Sequence, residues 1–469
     1  MAKTNWQGDL DKVRFIMEAA LIRRKALLSG DRTRLQEDLF QDIDDAVLGM
    51  VPIGREAMVK LEQLSVSAIA YAGLSGRVAI TTARQSLGPL LVRLVIRERQ
   101  AISQKLLQHA YQLTDVDIRA VLKTRTHLLP CHIVDSKEPQ VITIGPVTFL
   151  NRSAARSLVR DTVRRHVSDV PGWESRDRRM LAQAISYYRK YQWVAQVTVE
   201  ECDPKLAGEY AQSITTSALS GLQLFLGAHA SQSMAIGGDA WGWARSAELK
   251  LDPSGAPDVT VTTSYRGGES FAVGWSSELD DPGMKLGIGL LGTAIEAGLP
   301  GVYRPLSSRY LGSLQWYGEA VRERSPATRL IKFITAIEHL LLTGEREGIT
   351  SVLAHRVAAL TYEIGSTESR ITIEAEFRRL YDLRSKFVHG AAAPWDERAR
   401  LQLRAASDMA EKVLHSALNS WRDEALLSEN AKPKRLRLWF NEIVRMMIHA
   451  TEPVDHVASW TEWRKSREE

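Results

Sequence analysis

The segment Tyr381-Asp-Leu-Arg-Ser-Lys-Phe-Val-His-Gly390 places an arginine where an amphipathic helix should carry a hydrophobic side chain. Such a helix buries side chains that are spaced three and four residues apart. The apolar stripe predicted on this wheel runs through Phe377, Leu380, Tyr381, Phe387 and Val388. Arg384 lies near the centre of that stripe. Because an unpaired buried guanidinium is strongly destabilising, we expect Arg384 to meet a carboxylate, a partner chain or an anionic ligand such as phosphate.

His389 and Gly390 close the same segment. Glycine is typical of the residue that ends a helix, so Gly390 predicts the end of this one. In one interpretation the stem of Arg384 packs while its head reaches water, and His389 caps the last carbonyl groups. In the other interpretation the arginine and the histidine are a functional pair.

Two further helices are predicted upstream. Ser325-Pro326 has the residue types of a helix start, and a second helix is predicted from Ile349 to Ile364. The apolar face of the first contains Leu330, Ile331, Ile334, Ile337 and Leu341, and that of the second contains Leu353, Val357, Leu360 and Ile364. Glu338 and Arg356 lie at the edges of these faces. Arg356, Glu338 and the Arg384 described above therefore flank one predicted core.

Together, the segments Phe333–Leu342, Leu353–Leu360 and Tyr381–Gly390 resemble the HEPN superfamily, specifically its Apea-like branch. The resemblance covers about residues 307–425, roughly a quarter of the chain. An arginine five residues before a histidine is a common spacing by itself. The resemblance depends on the Arg-Ser-x-x-x-His-Gly form at the end of the last of three helices in the expected order.

The resemblance implies a small all-helical domain that often forms dimers and, in many members, cleaves RNA without a metal ion. It carries the catalytic roles to Arg384 and His389. The supporting residues that it implies are Ser385, Glu338, Arg356, Tyr381 and Lys386. The setting that it implies is antiviral defence by abortive infection, or growth arrest by a toxin.

The chemistry of these residue types suits that activity. Cleavage of RNA by its own 2′-hydroxyl needs a base, an acid for the leaving 5′-oxygen, and a cation near the phosphate. Histidine titrates near neutral pH, and a guanidinium binds two phosphate oxygens at once. However, five residues of an ideal helix place Arg384 and His389 roughly 140° apart. Either the helix end distorts at Gly390, or two chains combine in one site, so we expect a homodimer. Whether His389 acts as base or acid stays open.

Composition sets wider limits. The chain has 469 residues, 44% hydrophobic and 25% charged, which is typical of a globular protein of two or three domains. Its formal net charge of +5 permits contact with nucleic acid without requiring it. The two cysteines, Cys131 and Cys202, form no pair motif, and the N-terminus lacks a hydrophobic signal core. We expect a soluble, cytoplasmic protein without a membrane span, and no cofactor.

Two other chemistries are disfavoured by the sequence. Gly287-Ile-Gly-Leu-Leu-Gly292 has the spacing of a dinucleotide-binding loop, but no strand or parallel-sheet unit is predicted around it. The 11 histidines show no HExxH motif and no cysteine-histidine or carboxylate cluster with ligand spacing, so we predict no metal site.

The fold class predicted for the whole chain is α+β and multidomain. A helical N-terminal region is expected at 1–129, an α+β middle domain with a sensing or regulatory role at 130–305, a HEPN-like helical bundle at 306–430, and a helical extension at 431–469. The change at Pro130 rests on alternating or β-rich segments. Strands are predicted at 140–150, 193–200, 247–251, 259–265 and 271–275, and a helix at 205–226.

The strongest basic cluster lies in the middle region. Arg156, Arg160 and Arg164 recur every four residues along a predicted helix. From Arg152 to Lys190, ten Lys and Arg residues stand against four Asp and Glu residues. Such a stripe is usually a solvated face. In a protein that cleaves RNA, it is a candidate for contact with phosphates.

Three functions are therefore carried forward. The first is a metal-independent endoribonuclease whose first 300 residues respond to a trigger, such as a protein or a phage-derived molecule. The second is a HEPN-fold module that binds RNA or a nucleotide without cutting it. The third is a scaffold whose helical C-terminal part serves dimerisation and has no affinity for RNA.

Overall fold

The computed structural model describes residues 5–29, 42–134, 138–158, 160, 175–237, 243–251, 257–265, 275–298, 304–362, 369–429 and 433–449. The protein is α+β, as predicted, with N-terminal helices, a central antiparallel five-stranded sheet with helices, and a C-terminal helical region. It divides into two compact units. The first comprises residues 1–126 and 198–211, and the second comprises residues 127–197 and 212–469.

The helices of the first unit are α1 (Trp6–Ser29), α2 (Arg55–Tyr71), α3 (Ile80–Leu91) and α4 (Gln104–Val121). Asp9 is a charged side chain that is buried among them. The Asp9 carboxylate accepts hydrogen bonds from the Tyr111 hydroxyl at 3.0 Å and from the Lys12 ammonium at 2.8 Å. Burial raises the pKa of the Tyr111 phenol, and the neighbouring Asp9 charge raises it further. A buried carboxylate is stable here because it is hydrogen-bonded on both oxygens.

The region predicted to be helical at 1–129 is interrupted in two places before the strand that begins at Lys123. A hairpin of β1 (Asp42–Asp45) and β2 (Gly49–Pro52) interrupts the helices. Its turn is stabilised by the Asp45 carboxylate, which accepts hydrogen bonds from the backbone N–H groups of Val47 and Leu48. Gly49 has a φ of 69°, a conformation that glycine adopts without strain.

The second interruption follows α3. After α3, residues Val92–Arg97 form a π-helical turn, and α4 begins only at Gln104. The Ser103 hydroxyl accepts a hydrogen bond from the backbone N–H of Leu106, which caps α4. The hydrophobic pattern continues across this break because both flanking segments pack on one core, so periodicity alone did not reveal it.

The sheet is formed by β3 (Lys123–His132), β4 (Val141–Ile144), β5 (Val147–Asn151), β6 (Trp193–Cys202) and β7 (Ala235–Ile236). Its strand order is β4-β5-β6-β3-β7. The predicted strand at 140–150 is the β4-β5 hairpin, and that at 193–200 lies in β6. However, β3 begins before Pro130, where the change to strands was predicted.

Helices and a second hairpin accompany the sheet. They are α5 (Ser175–Tyr188), α6 (Pro204–Leu226), β8 (Trp243–Leu251), β9 (Pro257–Tyr265) and α7 (Pro282–Ala297). The helix predicted at 205–226 is α6, and the strands predicted at 247–251 and 259–265 lie in β8 and β9. The strand predicted at 271–275 lies outside the described residues except for Trp275, which begins a 3₁₀ helix (Trp275–Asp280).

The C-terminal helices are α8 (Pro305–Arg322), α9 (Pro326–Leu341), α10 (Ile349–Thr361), α11 (Arg370–Val388), α12 (Glu397–Leu426) and α13 (Pro433–His449). The predicted start of α9 is confirmed, since the Ser325 hydroxyl accepts a hydrogen bond from the backbone N–H of Thr328 and Pro326 is the first helical residue. The predicted end of the next helix, Ile364, lies outside the described residues.

Helix α9 is central to this region and packs against α8, α11 and α12. Leu330, Ile334 and Ile337 are fully buried along it, as predicted. Burying each such side chain contributes roughly 1.5–3 kcal/mol. None of the helices in the described residues is long and apolar enough to cross a membrane.

Candidate functional site

The buried face of α11 is shifted from the one predicted on the helical wheel. Its buried side chains are Ile373, Phe377, Leu380 and Leu383. Leu383 was missed by the sequence analysis, and Val388, which was predicted to be buried, is 47% exposed. Arg384 lies at the edge of the buried face.

The guanidinium of Arg384 is held by a carboxylate, the first of the three partners expected for it. Its Nη2 donates a hydrogen bond to Oε2 of Glu338 at 2.7 Å. The other oxygen of Glu338 accepts a hydrogen bond from the Tyr381 hydroxyl at 2.8 Å. The side chains of Arg384 and Glu338 are only 21% and 13% exposed. The structure therefore brings three of the predicted site residues into one partly buried cluster.

Tyr381 supports this cluster in two ways. Its ring centroid lies 5.7 Å from the guanidinium carbon of Arg384, which is within the range of a cation–π contact. Burial raises the pKa of the Tyr381 phenol to about 12, and the hydrogen bond to Glu338 contributes. The phenol therefore stays protonated and donates to Glu338 throughout the physiological range.

One nitrogen of the arginine is unsatisfied. Nε of Arg384 is inaccessible to solvent and has no hydrogen-bond partner among the described residues. Within those residues, Nη2 is the guanidinium nitrogen that carries a hydrogen bond. A guanidinium has five N–H donors. The ion pair with Glu338 thus fixes the orientation of Arg384 and leaves hydrogen-bonding capacity on the same side chain.

His389 lies at the C-cap of α11 and is exposed. Gly390 follows with a φ of 72°, and the backbone N–H of Ala391 donates to the carbonyl of Lys386 at 2.8 Å. This geometry is a Schellman motif, so the prediction that Gly390 ends the helix is confirmed. The last carbonyl groups of a helix favour a positively charged neighbour, such as a protonated histidine.

Arg384 and His389 are not joined in this chain. Arg384 faces Glu338 inside the helical region, while His389 is exposed one turn further along α11. No hydrogen bond or ion pair in the described part of the chain links the His389 imidazole to the Arg384 cluster. The His389 backbone departs from helical geometry, but its N–H still donates to the carbonyl of Ser385 at 3.0 Å. The helical separation of roughly 140° therefore still applies to the two side chains.

Arg356 belongs to a different cluster. It is buried in α10, and its Nη2 donates to Oε1 of Glu345 at 2.8 Å while Nη1 donates to the carbonyl of Leu341 at 2.6 Å. Its guanidinium carbon lies 4.9 Å from the ring centroid of Phe440 in α13. Arg437, also in α13, approaches the same Glu345 oxygen at 3.1 Å. These contacts attach the final described helix to the region.

Glu345 was not singled out from the sequence. It lies in the loop between α9 and α10, where no periodic pattern marks it. Burial alone raises the pKa of a carboxyl group, but hydrogen bonds from Arg356 and Thr343 outweigh it and lower the pKa of Glu345 to about 2. A carboxylate eleven residues before a buried arginine was the available signal, and it is a weak one.

Glu345 should make the protein less stable in acid. Because its folded-state pKa is depressed, its stabilising effect is present above the ordinary carboxyl pKa of 4.5 and is lost as the pH falls towards about 2. We expect Glu345→Gln to lower the free energy of unfolding more at pH 6 than at pH 3, measured by urea titration. Glu347→Gln, at an exposed position in the same loop, is the control. An equal loss at both pH values would contradict the prediction.

Of the remaining predicted residues, those that the structure describes lie on the surface or at its border. Ser385 is half-buried, and Lys386 forms an ion pair with Asp382 at 2.6 Å on the outer face of α11. Residues 152–158 are helical, and Arg156 and Arg160 are exposed, while Arg164 lies outside the described residues. The exposure of the two described arginines fits both a solvated face and contact with phosphates.

No protein-family model, curated protein or solved structure matches this chain. In the described residues, no group of three or more His, Cys, Asp or Glu side chains is arranged to hold a metal ion. The geometry of the chain itself therefore carries the functional argument.

Proposed function

We propose that the protein is a metal-independent endoribonuclease of the Apea-like HEPN type. The observation that carries this proposal is the exposed His389 at a helix C-terminus, one turn beyond an arginine fixed by Glu338. In the reaction the 2′-hydroxyl attacks the adjacent phosphorus, its proton passes to a base, and the 5′-oxygen leaves with a proton from an acid. The products are a 2′,3′-cyclic phosphate and a 5′-hydroxyl.

The two side chains divide this chemistry between them. An exposed imidazole reaches substrate without displacing packed groups, and histidine is the side chain that most often transfers protons in catalysis. Arg384 stabilises the negative charge that grows on the phosphate. Because one histidine does not serve as base and acid in the same step, we propose that a second copy of the chain supplies the other imidazole.

A dimer is supported by apolar side chains around the helix end. Val388 is 47% exposed and Trp395, in the following loop, is 86% exposed. Large apolar side chains on a surface are typical of contact sites when they lie together. A symmetric dimer through this surface would bring the two His389 side chains towards each other.

The cellular setting belongs to the same proposal. Cys131 and Cys202 are both buried free thiols, which suits the reducing cytoplasm. The first 300 residues would hold the nuclease inactive until a protein or phage-derived trigger binds. Cleavage of cellular RNA would then halt growth, as in abortive infection.

The nuclease is tested by incubating the full-length protein with mixed RNA in EDTA and analysing the product ends. We expect fragments with 2′,3′-cyclic phosphates and 5′-hydroxyls, because the 2′-hydroxyl is the nucleophile. A substrate with a 2′-deoxy sugar at the cleaved position is the control and should stay intact. Cleavage of that substrate, or products ending in 3′-hydroxyls, would contradict the mechanism.

A second candidate function is favoured by the ion pair of Arg384 with Glu338. If that pair is only structural, the helical region binds RNA or a nucleotide without cutting it, or serves dimerisation alone. A titration of RNA binding against salt separates these two, because phosphate contacts make the affinity fall with salt concentration. Absence of RNA affinity at low salt would leave the dimerisation scaffold.

A further inference from the structure

A recess lies in the same unit, away from the Arg384 cluster. It has a volume of about 600 Å³ and is bounded by the loop after α6, the first turn of α9 and one face of α12. Its polar lining consists of His229, Gln232, Arg329, Arg400, Arg404, Ser407, Asp408 and Glu411. Pockets of this volume are typical of small-molecule sites. Arg329 and Glu338 are separated by roughly 13 Å along α9, so the recess is distinct from the proposed nuclease site.

The acidic wall of the recess is built around Glu411. Its Oε1 accepts hydrogen bonds from the Tyr317 hydroxyl at 2.8 Å and from the backbone N–H of Ala228 at 2.9 Å. Burial raises the pKa of the Glu411 carboxyl. Tyr317 is itself fully buried. The carboxyl group is therefore held rigidly at the wall by buried donors.

The basic wall is built around Arg329. Its guanidinium lies 5.7 Å from the ring centroid of Phe333, and with the Gln232 amide oxygen turned towards it, its two Nη atoms donate at 3.1 and 3.2 Å. Its Nε is inaccessible to solvent and has no hydrogen-bond partner within the described residues. No ion pair between Arg329 and Glu411 is present in the described part of the chain. Arg329 and Glu411 therefore line the same recess without forming an ion pair.

Keeping a guanidinium and a carboxyl group partly buried without joining them is unfavourable for stability. Such an arrangement is common at sites that bind polar ligands. Two further arginines, Arg400 and Arg404, line the recess and are exposed, and Arg404 pairs only loosely with Asp408 at 3.8 Å. Three arginines against two carboxyl groups favour an anionic ligand.

We propose that this recess binds a small phosphate ester that also carries hydroxyl or amino donors, such as a phosphorylated sugar, alone or within a mononucleotide. The forked guanidinium groups of Arg329, Arg400 and Arg404 suit the phosphate. Glu411 and Asp408 provide acceptors for the donors of the sugar or base. The volume of about 600 Å³ accommodates either ligand.

The proposal is tested by calorimetric titration of the full-length protein with ribose 5-phosphate, adenosine 5′-monophosphate, inorganic phosphate and adenosine. We expect an ester to bind more tightly than inorganic phosphate, and adenosine, which has no phosphate, not to bind. Comparison of the two esters distinguishes a sugar-phosphate site from a nucleotide site. No ester binding at about 5 mM, or equal affinity for inorganic phosphate and both esters, would overturn the proposal.

Variants then locate the binding. Arg329→Gln and Arg404→Gln should each weaken ester binding about tenfold, the loss expected for one charge-assisted contact. Arg404 is 93% exposed, so its replacement leaves the fold intact even if that of Arg329 does not. Arg379→Gln, in α11 and 62% exposed, is the matched control and should bind as the wild type does. Unchanged affinity in Arg404→Gln and Arg329→Gln would overturn the assignment, and neither result depends on RNA cleavage.

Discussion

Replacing His389 by alanine is expected to slow RNA cleavage by about 10²- to 10⁴-fold, the usual contribution of a general acid or base. Its side chain is exposed, so the free energy of unfolding should stay within about 1 kcal/mol of the wild-type value. The measurement is the initial rate on a labelled RNA in EDTA, beside a urea titration.

A matched control separates this loss from a general effect of removing a histidine. His109 is exposed in α4 of the first unit, and His109→Ala should cleave RNA at the wild-type rate. If His389→Ala and His109→Ala both retain full activity, the histidine at the end of α11 is not catalytic. Because RNA would still be cleaved, the cleavage would then belong to other residues, and the mechanism proposed for His389 would be wrong.

Arg384 requires a different design, because it also stabilises the fold. Arg384→Ala leaves Glu338 partly buried without its cation, so both stability and cleavage should fall. Arg384→Lys keeps a positive charge next to Glu338 but lacks the planar fork for phosphate. We therefore expect the lysine variant to recover much of the stability and little of the cleavage. Recovery of both would show that charge alone is needed at this position.

The helices of the C-terminal region follow from the sequence because their signals are local. The cap at Ser325, the proline after it and the apolar spacing of α9 all depend on residues close in the chain. The hairpin of β1 and β2 was missed because it is short and its turn depends on one aspartate, Asp45. A strand pattern of only four residues is hard to recognise in a region where most residues fit the helical pattern.

The candidate site was likewise only partly predictable from the sequence. The sequence indicated that Arg384 needs a partner, and Glu338 was among the residues placed at the edge of the core. That the two meet is a long-range property, fixed by the packing of α9 against α11. The recess around Arg329 and Glu411 was not predicted at all, because its walls come from segments far apart in the chain. Neither residue belongs to a motif.

Arg356→Ala is expected to cause the largest loss of stability, about 3–5 kcal/mol, the cost of breaking a buried ion pair from one side. The side chain of Arg356 is 3% exposed and that of Glu345 is 11% exposed. Water therefore cannot replace the hydrogen bonds and the positive charge that the guanidinium gives to Glu345. The carbonyl of Leu341 would also lose its donor. The measurement is the free energy of unfolding from urea titration at pH 7.

The same substitution at Arg379, an exposed arginine of α11, should change the free energy of unfolding by less than about 0.5 kcal/mol. Arg356→Met tests the cause of the loss. It restores bulk beside Phe440 but leaves the Glu345 charge paired only with Arg437. If packing dominates, the methionine variant should approach wild-type stability; if the ion pair dominates, it should remain close to the alanine variant. Because the Glu345 carboxylate is firmly ionised at neutral pH, we expect the second result.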